Sequence, residues 1–423
     1  MKYDMVFEGG GAKGMVFVGA LQAFEAQGHT HARLLGTSAG AITAALLAAG
    51  YTSGEMLEAL AEKNDGRSVF ASFMGTPKPL DKTDIQASTI RALLRNLNFP
   101  LIPDRFEEKL DDQLAEWLAA QPGLRHVFSF VERGGWYAAD DFLSWLRRRL
   151  DTGTFNGKPR QFSGLTLAQY YAETKVDLSL VASDTTAQEM LVLNHRTAPD
   201  LPLVWAVRMS MSIPLLWQEV VWQPEWGLYR SEKMAGHAIV DGGLLSNFPL
   251  ELFVSNDPEV IDVMGPKDGD HVLGMLIDET LSVSGAERVG APAPEFSLGE
   301  LHTVRRISNL INTSLQAHDK MVIEAFENLV VHLPAKGYGT TEFDMTDERR
   351  ALIVRAGHAA MQAYFAQPPA APEAVSFGLV ADEEADRAQR AADKLAVKRL
   401  RRSVDVRQRR RSGEIAEVNN CAV

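Results

Sequence analysis

Apolar positions come in short bursts broken by glycine. Met5-Val6-Phe7 predicts a strand, and Gly9 to Gly14 a glycine loop. Val16 to Glu25 predicts a helix, because Phe17, Leu21 and Phe24 recur at near-helical spacing. The pattern then repeats: Leu34-Leu35 as a strand, Gly36 to Gly40 as a turn, and Ala41 to Ala49 as a helix closed by Gly50. Further strands are predicted at Val176 to Val181, Met190 to Leu193, Glu219 to Val221, Ala238 to Val240, Val272 to Ile277 and Val330 to Leu333. Helices are predicted from Pro202 and over Asp347 to Phe365. Strands alternating with helices predict an α/β fold, a three-layer α/β/α sandwich around a mainly parallel central sheet.

Two stretches break this rhythm. Residues 64–160 hold Pro77, Pro79, Pro100, Pro103 and Pro122 among many aromatics, and read as an inserted, partly helical cap. Gln367-Pro368-Pro369-Ala370-Ala371-Pro372 reads as an exit linker. The expected division is a catalytic domain over 1–366 and, over 367–423, a linker with a basic tail that is partly helical or disordered.

Charge sharpens the picture of that tail. The 423-residue chain carries a net charge of −12, yet Arg387 to Arg411 holds eleven Lys/Arg against Asp393 and Asp405. The main body is therefore more acidic than the total suggests, which argues against nucleic acid as its partner. A single cysteine, Cys421, excludes an intrachain disulfide and a cysteine zinc site. Asp4, Glu8 and Lys13 interrupt any signal-like apolar run, and the longest apolar stretch, Ala39 to Ala49, is too short to span a bilayer. The expectation is a cytoplasmic protein or one peripheral on a membrane, with export as an effector left open.

Three motifs carry the candidate chemistry. Gly9-Gly10-Gly11-Ala12-Lys13-Gly14 lies between a strand and a helix and satisfies G-x-G-x-x-G. One reading is a dinucleotide loop, which wants an acidic residue about twenty positions on. Arg33, Leu34, Leu35 and Gly36 stand there instead, and an arginine could tolerate a phosphorylated ribose. The other reading is an anion cradle of backbone N–H groups. Gly36-Thr37-Ser38-Ala39-Gly40 is a G-x-S-x-G pentapeptide in the strand-to-helix context of a nucleophile elbow. Asp241-Gly242-Gly243 follows the apolar run Ala238-Ile239-Val240 and puts a carboxylate at a strand's end, where open α/β sheets bind ligands.

In this order the motifs resemble the patatin-like phospholipase family over roughly residues 3 to 255. Ala182-Ser183-Asp184-Thr185-Thr186, the segment Arg208 to Pro214, and Asn247-Phe248-Pro249 are similar to further family segments. The resemblance implies a lipolytic serine acyl-hydrolase of phospholipase A or lysophospholipase type, using a Ser–Asp dyad and neither metal nor cofactor. Ser38 is then the nucleophile and Asp241 the proton acceptor. Gly9, Gly10, Gly11, Ala12, Lys13 and Gly14, with Ala39, supply the oxyanion hole, and Gly36, Gly40, Gly242 and Gly243 support the motifs. A Ser–Asp–His triad would need His237, His271 or His302 instead. Lys13 has two readings, field support for an oxyanion or lipid phosphate, and a solvated lysine on the first helical turn.

Softer signals bear on substrate and partners. Phe70, Phe73, Met74, Phe99, Leu101, Ile102, Trp205, Trp217, Trp222 and Trp226 are candidates for an acyl-chain channel or for ordinary core. The basic tail suits transient contact with anionic lipid, a solvated helix, or a partner-binding arm. The expected substrate is a phospholipid or other acyl ester, with any protein activator undefined. Two rival functions are a nucleotide-dependent oxidoreductase built on the G-x-G-x-x-G loop and a non-catalytic lipid-binding module.

Overall fold

A computed structural model describes residues 1–64, 66–78, 85, 88–89, 125–289, 322–366 and 387–400. Eight strands form the central sheet: β1 (Lys2–Phe7), β2 (Thr30–Thr37), β3 (Leu178–Asp184), β4 (Glu189–Leu193), β5 (Val220–Val221), β6 (Ala238–Asp241), β7 (His271–Ser282) and β8 (Val330–Lys336). Its parallel body runs in the order β3-β2-β1-β7-β8. Burial on both faces explains why β1 and β2 read as continuous apolar runs rather than alternating ones.

Successive residues of these strands point to opposite faces. Met5, Phe7, Leu34 and Leu180 pack beneath α1 (Val16–Ala26), α2 (Ala39–Ala48), α3 (Ser53–Leu60) and the closing helix Asp347–Ala366. Val6, Leu35 and Val181 pack on the other face against Phe253, Val263 and Ala396. Each such fully buried side chain contributes about 1.5–3 kcal/mol. The expected sandwich is therefore present, with both layers covered.

The arrangement around β3 positions the site. Leu180 and Val181 pair with β4 along one edge and with β2 along the other. Ala182, Ser183 and Asp184 also pair with β4, and then with the antiparallel β6. A strand has two edges, so β2 and β6 share one of them end to end. Thr37 stands opposite Val181, and Asp241 opposite Ala182. The chain thus delivers Ser38 and Asp241 to the same point from opposite directions.

Among the described residues, the 64–160 segment is not a separate unit. The turn Val69–Phe73 and the helix Asp140–Leu150 bring Phe70, Phe73, Phe142 and Trp145 into the main core cluster. Strand Gly135–Tyr137 pairs with Leu215–Trp217 of the body, and the Trp217 indole N–H donates to the Phe73 carbonyl at 3.1 Å. Pro79, Phe99, Pro100, Leu101, Ile102, Pro103 and Pro122 lie outside the described residues.

Part of the tail, expected to be partly helical or disordered, lies within the described residues. Residues 387–400 form a helix that docks on the body, burying Ala392, Ala396 and Leu400 in the second core cluster. The Ser255 hydroxyl and the Asn256 N–H both donate to Asp393 Oδ1, at 2.7 and 2.9 Å. An alanine-and-leucine stripe at i, i+4, i+8 is enough to seat a helix against α/β core, so this part of the tail is not a free arm. Arg387, Lys394 and Lys398 stay exposed on its outer side. No helix among the described residues is long and apolar enough to cross a membrane.

Candidate active site

Ser38 is the turn residue between β2 and α2 and has φ 54° and ψ −118°, a conformation that side-chain-bearing residues adopt at a cost of about 1–3 kcal/mol. The surrounding backbone enforces it. The Ser38 N–H donates to the Ser210 hydroxyl at 3.1 Å, which in turn donates to the Val181 carbonyl at 2.6 Å. The elbow tolerates this crowding because its second glycine is bare: a Cβ on Gly40 would stand 2.3 Å from the Phe7 carbonyl oxygen. Ser38 is buried at 5% exposure and opens into a cleft.

The glycine loop lies directly over this elbow. A Cβ on Gly9 would approach the Ser38 Cβ to 3.1 Å and the Asn247 side-chain oxygen to 2.2 Å, so only glycine fits. Three of its N–H groups are already engaged: Gly9 donates to the Asn247 carbonyl, Ala12 to the Thr340 carbonyl and Lys13 to the Gly10 carbonyl. The N–H groups of Gly10 and Gly11 have no acceptor among the described residues, nor does that of Ala39 at the start of α2. The expected set of loop donors is thereby narrowed. Lys13 is also not a solvated lysine. Its side chain is 6% exposed and its ammonium pairs with Glu279 on β7.

Asp241 ends β6 with its own N–H donating to the Ser212 carbonyl at 2.9 Å. Ser210 and Ser212 thus hold the backbones of Ser38 and Asp241 from one short segment. Burial raises Asp241 from the usual carboxylate value of 3.8 to about 7, while the nearby Ser38 hydroxyl and the Gly243 N–H favour its ionised form. Of those two groups, only the Gly243 N–H closes to a hydrogen bond, 2.7 Å from Oδ1. Oδ2 is buried and meets no donor among the described residues.

Two of the three candidate histidines are placed elsewhere. His237 Nδ1 lies 2.6 Å from Asp184 Oδ2, committed to a different carboxylate. His271 stands opposite Tyr3 at the start of the parallel strands, the far end of the sheet from Ser38. His302 lies outside the described residues. The arginine that the nucleotide reading required is also spent: Arg33 is 2% exposed, pairs with Asp4 at 2.6 Å and donates to the Gly265 carbonyl.

A cleft of about 760 Å³, counting space open to solvent, runs from Ser38 between α2, α3 and the inserted segment. Its walls include Ile42, Leu46, Met56, Phe70, Phe73 and Trp217. Trp205, Trp222 and Trp226 do not line it and instead cluster with one another, Trp205 and Trp226 at 5.2 Å between ring centres. Met74 is likewise not a wall residue. Sequence reading missed Ser210 and Asn247 as supports, although the repeated serines of Ser210-Met211-Ser212 before Pro214 were a visible signal.

A mainly parallel sheet with a strained serine at a strand-to-helix elbow defines a nucleophile-elbow fold. The sequence model of the patatin-like phospholipase family matches residues 5–254, and the chain belongs to that family. It is 28% identical over 364 residues to the uncharacterized protein YqhO of Bacillus subtilis (strain 168), covering 84% of this chain and 96% of that one. Two solved structures align over 86% of this chain: VipD of Legionella pneumophila (17% identity, TM-score 0.40) and ExoU of the Pseudomonas aeruginosa type III secretion system, in complex with SpcU (16%, 0.35). This chain spans 66% and 52% of those two chains.

Proposed function

We propose that the protein is a serine acyl-hydrolase that cleaves acyl esters of phospholipids or lysophospholipids through a Ser38–Asp241 dyad. The observation that carries this is the end-to-end meeting of β2 and β6 on one edge of β3, which puts a strained serine beside a buried carboxylate oxygen that meets no donor among the described residues.

Ser38 Oγ attacks the ester carbonyl carbon and its proton passes to Asp241 Oδ2. A carboxylate raised to about 7 is matched to that task near neutral pH, which an ordinary aspartate is not. The tetrahedral oxyanion accepts from the free N–H groups of Gly10 and Gly11, helped by Ala39 at the start of α2. Collapse breaks the bond to the alcohol, which leaves with the proton from Asp241. Water then attacks the acyl-serine with Asp241 again as base, releasing the fatty acid and restoring Ser38. The apolar cleft from Ser38 suits a single acyl chain. The exposed cations Arg387, Lys394 and Lys398 suit brief contact with an anionic lipid surface.

Incubation with phosphatidylcholine–phosphatidylglycerol vesicles, with products read by mass spectrometry, tests the reading. Release of fatty acid is expected, with lysophospholipid as the co-product or, where that is cleaved in turn, the deacylated glycerophosphodiester. No release from these vesicles, from lysophospholipid or from simple esters would overturn it.

A further inference from the structure

The helix 387–400 is joined to the rest of the domain only through residues outside the family match, yet it reaches the loop that follows Asp241. Arg399 Nη1 donates both to the Ser246 hydroxyl and to Glu251 Oε1. Ser246 and Glu251 are fully buried, and the Arg399 side chain is 10% exposed. Arg230 reaches the end of the same helix, donating to the Leu400 carbonyl at 3.5 Å.

Ser246 sits in the middle of a short loop with two functional ends. At one end its N–H and that of Leu245 both donate to the Gly242 carbonyl at 3.0 Å, closing the turn that begins at Asp241. At the other, the Asn247 carbonyl accepts from the Gly9 N–H at 3.1 Å, and its side-chain amide donates to Glu8 Oε1 and to the Gly9 carbonyl. The loop therefore fixes the carboxylate and the glycine loop together. Its buried handle on the outside is Ser246, and the group holding that handle is Arg399.

Resting on the hydrolase reading above, we infer that Arg399 is a positioning residue for the Ser38–Asp241 site. Helix 387–400 is a strut that, through Arg399, fixes the Gly242–Asn247 loop and with it both Asp241 and the Gly9 loop. The physical reason is the charge-assisted hydrogen bonds that Arg399 gives to two fully buried groups, Ser246 and Glu251. When Arg399 is absent, Ser246 and Glu251 each lose one charge-assisted hydrogen bond, and the loop relaxes toward water. Errors of a fraction of an ångström at a nucleophile–base pair fall on turnover rather than on substrate binding.

The test uses the full chain as wild type, Arg399→Gln, Ser246→Ala and, as a control, Asp393→Asn, which weakens a separate anchor midway along the same helix, to Ser255 and Asn256. Amide hydrogen exchange is followed in peptides covering 5–15 and 242–247, with kcat and KM measured on p-nitrophenyl butyrate. Arg399→Gln and Ser246→Ala are expected to speed exchange in both peptides and to lower kcat about tenfold, with KM within about twofold. Asp393→Asn is expected to speed exchange in 387–400 alone. If Arg399→Gln does not fold, Ser246→Ala carries the test, because it removes the handle and keeps the Arg399–Glu251 pair. Unchanged loop exchange in Ser246→Ala, or an Asp393→Asn variant that behaves like Arg399→Gln, would overturn the inference. A wild type that hydrolyses no ester would instead defeat the hydrolase reading, and the exchange data would still decide whether Arg399 holds the loop.

Discussion

The Ser38 N–H donates to the Ser210 hydroxyl at 3.1 Å across 172 positions of sequence. That bond ties the strained elbow to the segment whose Ser212 carbonyl receives the Asp241 N–H. One turn of chain thus holds the backbones of both the proposed nucleophile and the proposed base.

Ser210→Ala removes this tie and leaves a buried Ser38 N–H without its acceptor, a loss of about 1–3 kcal/mol. The expected outcome is a melting temperature lowered by several degrees and kcat reduced about tenfold, with KM little changed. Steady-state kinetics on a soluble ester, together with a thermal melt, check it.

Asp241→Asn is expected to lower turnover at least about a hundredfold, the scale of a lost general base. Single replacement of His237, His271 or His302 by Gln is expected to keep most activity. A histidine variant as inactive as Asp241→Asn would show a triad in place of the dyad.

The raised pKa of Asp241 fixes two pH dependences of opposite sign. With Asp241 as the proposed base, activity needs the ionised carboxylate, so kcat/KM is expected to rise with pH through about 7 and then level. Stability runs the other way. The native state holds this proton up to about 7 whereas the unfolded chain releases it near 3.8, so stability from this group is lost as pH rises between them. Asp241→Asn is therefore expected to melt above wild type at pH 8 and to converge with it toward pH 4. Melting curves of both proteins at several pH values are the measurement.

The cleft walls predict chain-length selection. Leu60 lines the cleft from α3, and Leu60→Trp fills part of it. Hydrolysis of a sixteen-carbon acyl ester is expected to fall about tenfold or more relative to that of a four-carbon ester. An equal loss on both would place the acyl chain elsewhere.

The parts of this site that were legible in the sequence are those where backbone geometry dictates residue type. Gly9 admits no side chain because Ser38 and Asn247 close on it, and Gly40 none because the Phe7 carbonyl does. Such constraints appear directly as glycine motifs. Asp241 was legible because it ends an apolar strand. Ser210 and Asn247 were visible only as members of family-like segments; their supporting roles were not, since these depend on partners more than 170 residues away. The docking of the tail helix was not legible for a related reason. Its cations stand out in composition, while the stripe Ala392, Ala396, Leu400 that seats the helix is too small to distinguish from a solvated face.

The dyad itself is tested most directly by covalent capture. The full chain is treated with a lipid-like fluorophosphonate, and the adduct is located by peptide mapping. The expected result is one adduct, on Ser38, absent in Ser38→Ala and formed slowly in Asp241→Asn. An adduct on another residue with Ser38 untouched, or undiminished ester hydrolysis by Ser38→Ala, would contradict the assignment of Ser38 as nucleophile.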